Sequence, residues 1–175
     1  MALGLAEAGA DIIGVSANLE LAGSQVSKAV EALGRKFKAY QADFSNRDSL
    51  YSFINQVKVD FPRIDILVNN AGVGTAVPST RETPEQFRSV IDVNLMGAYW
   101  MAQAFAKANK DGGVIVNISS ILGIKPQGLP QAAYASSKAG LIGLTRDLAA
   151  QWTGRKKIRV NALAPGFFPS EMSDE

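Results

Sequence analysis

The sequence predicts an α/β fold with a doubly wound, mostly parallel sheet, because short apolar runs alternate with helical patterns along the whole chain. The 175 residues, 47% of them hydrophobic, suffice for one domain with a sizeable core and are too few to argue for two. We therefore expect a single domain over residues 1–175. Sheets of this kind bind ligands beyond the carboxyl ends of their strands, so we expect the functional site there.

Five runs of sequence are predicted to be strands because they are rich in β-forming residues or almost continuously apolar, as strands buried on both faces are. They are Ile12 to Val15, Phe37 to Gln41, Ile64 to Val68, Val114 to Ile118, and Arg159 to Leu163. The sequence has no internal repeats and no low-complexity linkers. A helical pattern between consecutive runs predicts right-handed crossovers and parallel pairing.

The helix after Thr83 is the best defined of the predicted helices. Residues 83–86 supply an N-cap, a proline in the first turn and a capping-box glutamine. Apolar residues then recur every three or four positions as far as Phe105, and Asn94 lies in the middle of that stripe. Shorter stripes predict helices around residues 26–33 and 50–61. Met1–Ala8 is already helical in character and has no capping residue ahead of it.

Composition excludes several classes of site. There is no cysteine, which excludes disulfides, thiolate nucleophiles and cysteine-ligated metals. There is no histidine either, which excludes the usual general base and the commonest zinc ligand. We therefore expect no metal. The net charge of +2 and one small basic cluster, Arg155–Lys157, without an aromatic platform, argue against a nucleic-acid partner. No apolar run approaches the length of a membrane span, so we expect a cytoplasmic protein with no membrane partner.

Small and polar residues follow the predicted strands and should meet at one edge of the sheet. They are Asp43, the segment Asn69–Gly72, the pair Ser119 and Ser120, and the pair Pro165 and Gly166.

The pair Tyr134 and Lys138 carries the candidate chemistry. Their four-residue spacing puts phenol and ammonium on one face of a helix. A free tyrosine has a pKa of about 10, and a nearby cation favours the phenolate, which makes Tyr134 usable as a proton donor. Ser120 can hold a substrate oxygen beside it, and Asn94 can anchor water or backbone groups that lead protons away through Lys138.

Each of these residues also has a purely structural interpretation. Asn94 fits a satisfied core amide, Ser120 a turn hydroxyl and Lys138 a solvated helix residue, while Ser119 competes with Ser120 for the role of active serine. Asn70–Gly72 can be a turn that needs glycine, and Asp43 an anion at a helix N-terminus. A lone Tyr-x-x-x-Lys arises by chance in roughly a quarter of such chains.

Taken together and in order, these motifs resemble those of the short-chain dehydrogenase/reductase family. The matching elements are Asn70-Ala71-Gly72, the helix of Asn94, Ser120, Tyr134-x-x-x-Lys138 and Pro165-Gly166. The resemblance covers nearly the whole chain. It implies a Rossmann-like fold and an NAD(P)-dependent oxidoreductase that interconverts a secondary alcohol and a ketone.

The resemblance also assigns site residues. Those implied as catalytic are Asn94, Ser120, Tyr134 and Lys138, and Ser120 is preferred to Ser119 because the family's catalytic serine stands just before the turn that follows the strand. The residues implied as cofactor contacts are Asp43, Phe44, Asn70, Ala71, Gly72, Tyr134, Lys138, Pro165, Gly166, Phe168 and Ser170.

The chain departs from the family pattern at both ends. The family opens with a strand and a glycine-rich phosphate turn that this sequence lacks, and it continues beyond Ser170 to a last strand. We expect an incomplete sheet without its first and last strands, a gap between the strands of Val15 and Val68, and a chain that by itself binds NAD(P) poorly and is inactive. At the end of the strand of Val15, residues 16–18 offer neither an acid nor an arginine; the lack of arginine slightly favours NAD over NADP.

The segment Met1–Gly9 resembles sugar-acid members of the family, such as gluconate-type dehydrogenases, and the main rival substrate is a 3-oxoacyl thioester of a carrier protein. The resemblance further implies a homo-oligomer, a dimer or a tetramer, built on the helices of Asn94 and Tyr134. The alternative function is a non-catalytic nucleotide-binding or oligomer-interface module, against which the complete set of catalytic residues argues.

Overall fold

A computed structural model describes residues 1–125 and 127–168; Ser170, a predicted cofactor contact, lies outside the described residues. Helices and strands alternate as the sequence predicts. In order they are α1 (Ala2–Glu7), β1 (Ile12–Ser16), α2 (Gln25–Ala32), β2 (Phe37–Gln41), α3 (Arg47–Asp60), β3 (Ile66–Asn69), α4 (Pro84–Ile91), a π-helical segment (Asp92–Gly97), α5 (Ala98–Ala108), β4 (Gly113–Ile118), a short 3₁₀ helix (Ile121–Gly123), α6 (Ala132–Lys156) and β5 (Ile158–Leu163).

The described strands form two parallel sheets. The chain divides into two compact units, the first Met1–Asn55 and the second beginning at Gln56. In the first unit β1 pairs with β2, and in the second the strand order is β3-β4-β5. Within the described residues β1 pairs only with β2, and β3 pairs only with β4. The α/β, parallel and incomplete fold is thus confirmed, while the single domain stays a prediction.

The first unit packs α2 and α3 with its small sheet. Val30 of α2 and Leu50 of α3 are fully buried. The ring of Phe37 lies so close to Gly14 that a Cβ there would come within 2.5 Å of its Cζ. Helix α2 ends as predicted, just before Gly34, whose φ of +73° is the left-handed conformation that glycine adopts without strain.

The core of the second unit lies between its sheet and the helices α5 and α6. Its buried members include Phe105 and Ala102 from α5, Leu148 from α6, and Ile115 and Ile158 from the strands. These contacts fix α6 against the sheet that carries the predicted site. No helix in the described part of the chain is long and apolar enough to cross a membrane.

Strand boundaries agree with the prediction to within one residue except in β3. This strand begins at Ile66 and ends at Asn69, whereas the apolar run predicted Ile64 to Val68. The carbonyl of Ile64 accepts a hydrogen bond from the side chain of Asn109 at 2.9 Å. The Ile64 carbonyl is therefore bonded to the Asn109 side chain and not to the backbone of a neighbouring strand.

The helix predicted after Thr83 begins as expected but is not continuous. Thr83 Oγ1 accepts from Gln86 N at 3.2 Å and Gln86 Oε1 accepts from Thr83 N at 2.9 Å, so the capping box is confirmed. The π-helical segment Asp92–Gly97 then separates α4 from α5. The hydrogen bonds of a π-helix span five residues, one more than those of an α-helix. An apolar residue at every third or fourth position predicts an α-helix and does not reveal this difference. Asn94 lies in this segment.

Candidate active site

Tyr134 and Lys138 lie on one face of α6, as their spacing predicts. The Nζ atom of Lys138 is 5.5 Å from the centroid of the Tyr134 ring. Lys138 is only 3% exposed, and its Nζ donates to the carbonyl of Ile118, the last residue of β4, at 2.7 Å. Burial lowers the pKa of Lys138 to about 8. The interpretation of Lys138 as a solvated helix residue is therefore wrong.

The two serines after β4 make different contacts. Ser119 is 3% exposed, and its hydroxyl donates to the carbonyl of Lys138 at 2.7 Å. Ser120 caps the 3₁₀ helix by accepting from Leu122 N at 3.2 Å. In that bond Ser120 Oγ is the acceptor, so its proton can still be donated to a substrate oxygen. The geometry favours Ser120 over Ser119 as the active serine.

Asn94 is fully buried and ties the loop after β3 to α6. Its Oδ1 accepts from Val73 N at 2.8 Å, and its Nδ2 donates to Val73 O at 2.9 Å and to Ser137 Oγ at 3.0 Å. Both amide hydrogens are thus used, so any water that Asn94 holds must donate to one of its oxygens. The side chain fits both the predicted anchoring of backbone groups and the interpretation as a satisfied core amide.

The loop after β3 passes close to these side chains because two of its residues are glycines. A Cβ at Gly72 would lie 3.3 Å from Lys138 Nζ and 3.5 Å from Asn94 Oδ1, and one at Gly74 would lie 3.5 Å from Cδ2 of Tyr134. The φ of Gly72 is outside the left-handed region, so glycine here provides space rather than an unusual turn. Of the predicted cofactor contacts in this loop, Asn70 is exposed and Ala71 and Gly72 are half-buried.

The remaining predicted cofactor contacts lie on other segments. The carbonyl of Pro165 accepts from Ile121 N at 2.9 Å, which holds the segment after β5 near Ser120; Gly166 and Phe168 are exposed. Asp43 and the half-buried Phe44 belong to the first unit, whereas the four catalytic candidates belong to the second. Hydrogen bonds from the side chain and backbone of Ser45 lower the pKa of Asp43, so this carboxylate stabilises the turn that leads into α3.

Sequence reasoning missed a buried chain of polar side chains behind the site. Asn69 Nδ2 donates to Asn117 Oδ1 at 2.9 Å, and Asn117 Nδ2 donates to Thr145 Oγ1 at 2.9 Å. Asn117 is fully buried, and the other two are 7% exposed. The available signal was the asparagine in the apolar run Val114 to Ile118, since asparagine is depleted in strands and seldom buried.

A shallow depression of about 230 Å³ lies beside the start of α6. Its lining residues are uncharged: Ser79, Leu122, Gln127, Gly128, Leu129, Pro130, Gln131, Ala132 and Ala135. Ala132 and Ala135 belong to the first turn of α6, and Tyr134 is not among the lining residues. Ligand sites usually enclose roughly 300–1,000 Å³, so this depression has room for only a small part of a ligand.

We expect Gly123→Ala to destabilise the protein by about 1–3 kcal/mol, because a Cβ there would lie 2.7 Å from the backbone carbon of Lys138 and force the 3₁₀ helix away from α6. Gly143→Ala is the matched control: nothing lies within 4 Å of its Cβ position on α6, so this change should stabilise by about 0.5–1 kcal/mol. Urea unfolding of both variants measures the difference. Equal stabilities would contradict the close contact.

Comparisons with known proteins agree on one family. Residues 1–175 match the family model for short chain dehydrogenases. The chain is 47% identical over 173 residues to the 2-dehydro-3-deoxy-D-gluconate 5-dehydrogenase of Pseudoalteromonas atlantica, covering 98% of this chain and 67% of that protein. It is 38% identical over 173 residues to the 3-oxoacyl-[acyl-carrier-protein] reductase of Thermotoga maritima, covering 97% and 69%.

A solved structure is similar as well. It is described as an NAD(P)-dependent gluconate 5-dehydrogenase from Beutenbergia cavernae with NADP bound at low occupancy. The TM-score is 0.86 at 33% identity, and the match covers 95% of this chain and 66% of that one. The chain thus spans about two thirds of the length of the proteins it matches.

Proposed function

The chain belongs to the short-chain dehydrogenase/reductase family of oxidoreductases, and we propose that its site interconverts a secondary alcohol and a ketone, with Tyr134 as proton donor and acceptor. The observation that carries this proposal is the buried Lys138 ammonium 5.5 Å from the Tyr134 ring. A cation held there favours a negative charge on the phenol oxygen. Because the chain has no histidine, Tyr134 and Lys138 are the candidates for general acid and base catalysis at this site.

Each catalytic candidate has a distinct task in the direction of ketone reduction. Ser120 donates a hydrogen bond to the carbonyl oxygen of the substrate and holds it next to Tyr134. The Tyr134 hydroxyl gives its proton to that oxygen, and the positive charge of Lys138 stabilises the phenolate that remains. Asn94 keeps the loop after β3 in place through Val73, so this loop lines the reacting groups.

The loop geometry also fits a bound dinucleotide. NAD or NADP, when bound, supplies or accepts the hydride. The lack of side chains at Gly72 and Gly74 leaves space where the loop passes Lys138 and Tyr134. The residues of the second unit that would hold the dinucleotide are Asn70, Ala71, Gly72, Tyr134, Lys138, Pro165, Gly166 and Phe168. Asp43 and Phe44, in the first unit, stay predictions from the family resemblance.

We propose NAD as the preferred cofactor, because residues 16–18 after β1 contain no arginine to pair with the extra phosphate of NADP. The NADP bound to the similar structure from Beutenbergia cavernae makes NADP the alternative to test.

For the substrate we propose a keto sugar acid, as the name of the 47% identical relative indicates. The amides of Gln127 and Gln131, which line the depression at the start of α6, can donate to and accept from the hydroxyl groups of such a substrate. The 38% identical relative makes a 3-oxoacyl thioester the second candidate.

The test uses the whole protein, meaning this chain together with any residues that flank it in its gene. Steady-state rates are measured with a keto sugar acid and with a 3-oxoacyl thioester, each with NADH and with NADPH. We expect the highest kcat/KM for the sugar acid with NADH. A higher value for the thioester would replace the proposed substrate, and cofactor binding without reduction of either ketone would favour the non-catalytic nucleotide-binding module.

We further propose a cytoplasmic homo-oligomer, a dimer or a tetramer, built on the helices of the site. This proposal rests on the family to which the chain belongs.

A further inference from the structure

Three successive residues at the end of β4 hold α6. Asn117 donates to Thr145 at 2.9 Å, the carbonyl of Ile118 accepts from Lys138 Nζ at 2.7 Å, and Ser119 donates to the carbonyl of Lys138 at 2.7 Å. Thr145 lies seven residues after Lys138, so the two share a face of the helix. The strand end that leads to the active serine is therefore attached to α6 both at Lys138 and two turns further on.

The contact at Thr145 has a fixed direction. Its hydroxyl donates to the carbonyl of Leu141 at 2.7 Å, so Thr145 Oγ1 acts as the acceptor for Asn117. The Nδ2 of Asn117 must then face α6 and its Oδ1 must face Asn69, whose Nδ2 donates to it. Asn117 is fully buried, and the reversed amide would set its Nδ2 against the donating Nδ2 of Asn69 without an acceptor, which would be costly. One orientation of this amide is therefore strongly preferred.

We propose that Thr145 is a positioning residue for the reaction: through Asn117 it fixes the end of β4, so that the Ile118 carbonyl stays against the Lys138 ammonium and Ser120 keeps its place after the strand. Its effect on turnover rests on the proposed function. Its effect on the Lys138 ammonium does not, because that contact exists without substrate.

The consequence for Lys138 follows from its surroundings. Burial makes its charged form unfavourable, while the Ile118 carbonyl favours that form by accepting its hydrogen bond. Among the residues that the structure describes, the titratable side chain beside it is Tyr134, whose ring centroid lies 5.5 Å from Lys138 Nζ. If the strand end moves, the ammonium loses its acceptor and gives up its proton at lower pH.

The experiment compares Thr145→Val with Thr145→Ser in the whole protein. Valine keeps the branched shape and removes the hydroxyl, whereas serine keeps the hydroxyl and removes the methyl group. Thr153→Val is the control, since Thr153 on the same helix donates to the carbonyl of Ile158 at 3.3 Å, away from the site. The pKa of the Lys138 ammonium is measured by NMR titration without cofactor, and its signal is assigned by its absence in Lys138→Arg. For each variant kcat and KM are measured as well.

In Thr145→Val we expect the midpoint of the Lys138 titration to fall by about one pH unit and kcat to fall about tenfold, with KM changed little. Thr145→Ser and Thr153→Val should keep both parent values. An unchanged midpoint in Thr145→Val, or equal losses in the valine and serine variants, would overturn the proposal. If Thr145→Val does not fold, Thr145→Cys, whose thiol is a weak acceptor, should give an intermediate midpoint, and a parent-like midpoint there would overturn it.

The two proposals fail in different ways. A whole protein that reduces no ketone, but whose Lys138 midpoint still falls in Thr145→Val, would contradict the proposed function and support the positioning role. A whole protein that reduces the ketone, but whose Lys138 midpoint is the same in the parent and in Thr145→Val, would support the proposed function and contradict the positioning role.

Discussion

Replacing Tyr134 by phenylalanine is expected to lower kcat of the whole protein by about a hundred- to ten-thousand-fold, the usual contribution of a positioned proton donor. The change removes the hydroxyl and keeps the ring, which lies 5.5 Å from Lys138 Nζ and next to Gly74. Affinity for the reduced cofactor should therefore change little. Steady-state kinetics and a fluorescence titration with NADH measure the two quantities separately.

Tyr99→Phe is the matched control for this prediction. The hydroxyl of Tyr99 on α5 accepts from Gln103 at 3.3 Å and lies outside the candidate site, so its loss should leave turnover near the parent value. If Tyr134→Phe stays within a few-fold of the parent, the proposed proton donor is wrong. If Tyr99→Phe loses as much turnover as Tyr134→Phe, the effect is not specific to the site.

Lys138→Met is expected to reduce both turnover and cofactor affinity by at least about tenfold each. It removes the cation beside the Tyr134 ring, and the family resemblance implies that it also removes a hydrogen-bond donor to the nicotinamide ribose. Lys156→Met is the control, because Lys156 on the same helix also donates to a backbone carbonyl, that of Ala106, from an exposed position. A loss of turnover with full cofactor affinity would contradict the dual role.

The same variant should change how stability depends on pH. In the folded protein the pKa of Lys138 is lowered to about 8 from its ordinary value of 10.5. Between these pH values the unfolded chain binds the proton that the folded protein has released, so the free energy of unfolding rises with pH by up to about 3 kcal/mol from this group. Lys138→Met should lack this rise, whereas Lys156→Met should keep it. Urea unfolding across the window tests this, and parallel curves for the parent and Lys138→Met would contradict the buried ammonium.

The sequence was sufficient to predict the strands because burial on both faces leaves a direct trace, a run of apolar residues. Four of the five strands lie within one residue of the prediction. The start of β3 differs because the side chain of Asn109, 45 residues away in the chain, takes the Ile64 carbonyl. The π-helical segment around Asn94 was not predicted, because its apolar spacing is that of an ordinary helix.

The candidate site was predicted in its parts but not in its contacts. The order of the motifs pointed to Ser120, Tyr134 and Lys138. The choice between Ser119 and Ser120 gains a physical reason only from the structure, where the Ser119 hydroxyl is used by the carbonyl of Lys138. Asn117 stands out as an asparagine in an apolar run, but its partner Thr145 lies 28 residues away in sequence, and a hydrogen bond over that distance leaves no local pattern.

Isotope tracing shows whether the whole protein reduces a ketone by hydride transfer from the nicotinamide. NADH or NADPH deuterated at the hydride-donating carbon is mixed with the keto sugar acid, and the product is analysed by NMR. We expect deuterium on the new carbinol carbon. The labelled product should form orders of magnitude more slowly in Tyr134→Phe. A product without deuterium at that carbon, or a labelled product formed equally fast by Tyr134→Phe, would contradict it.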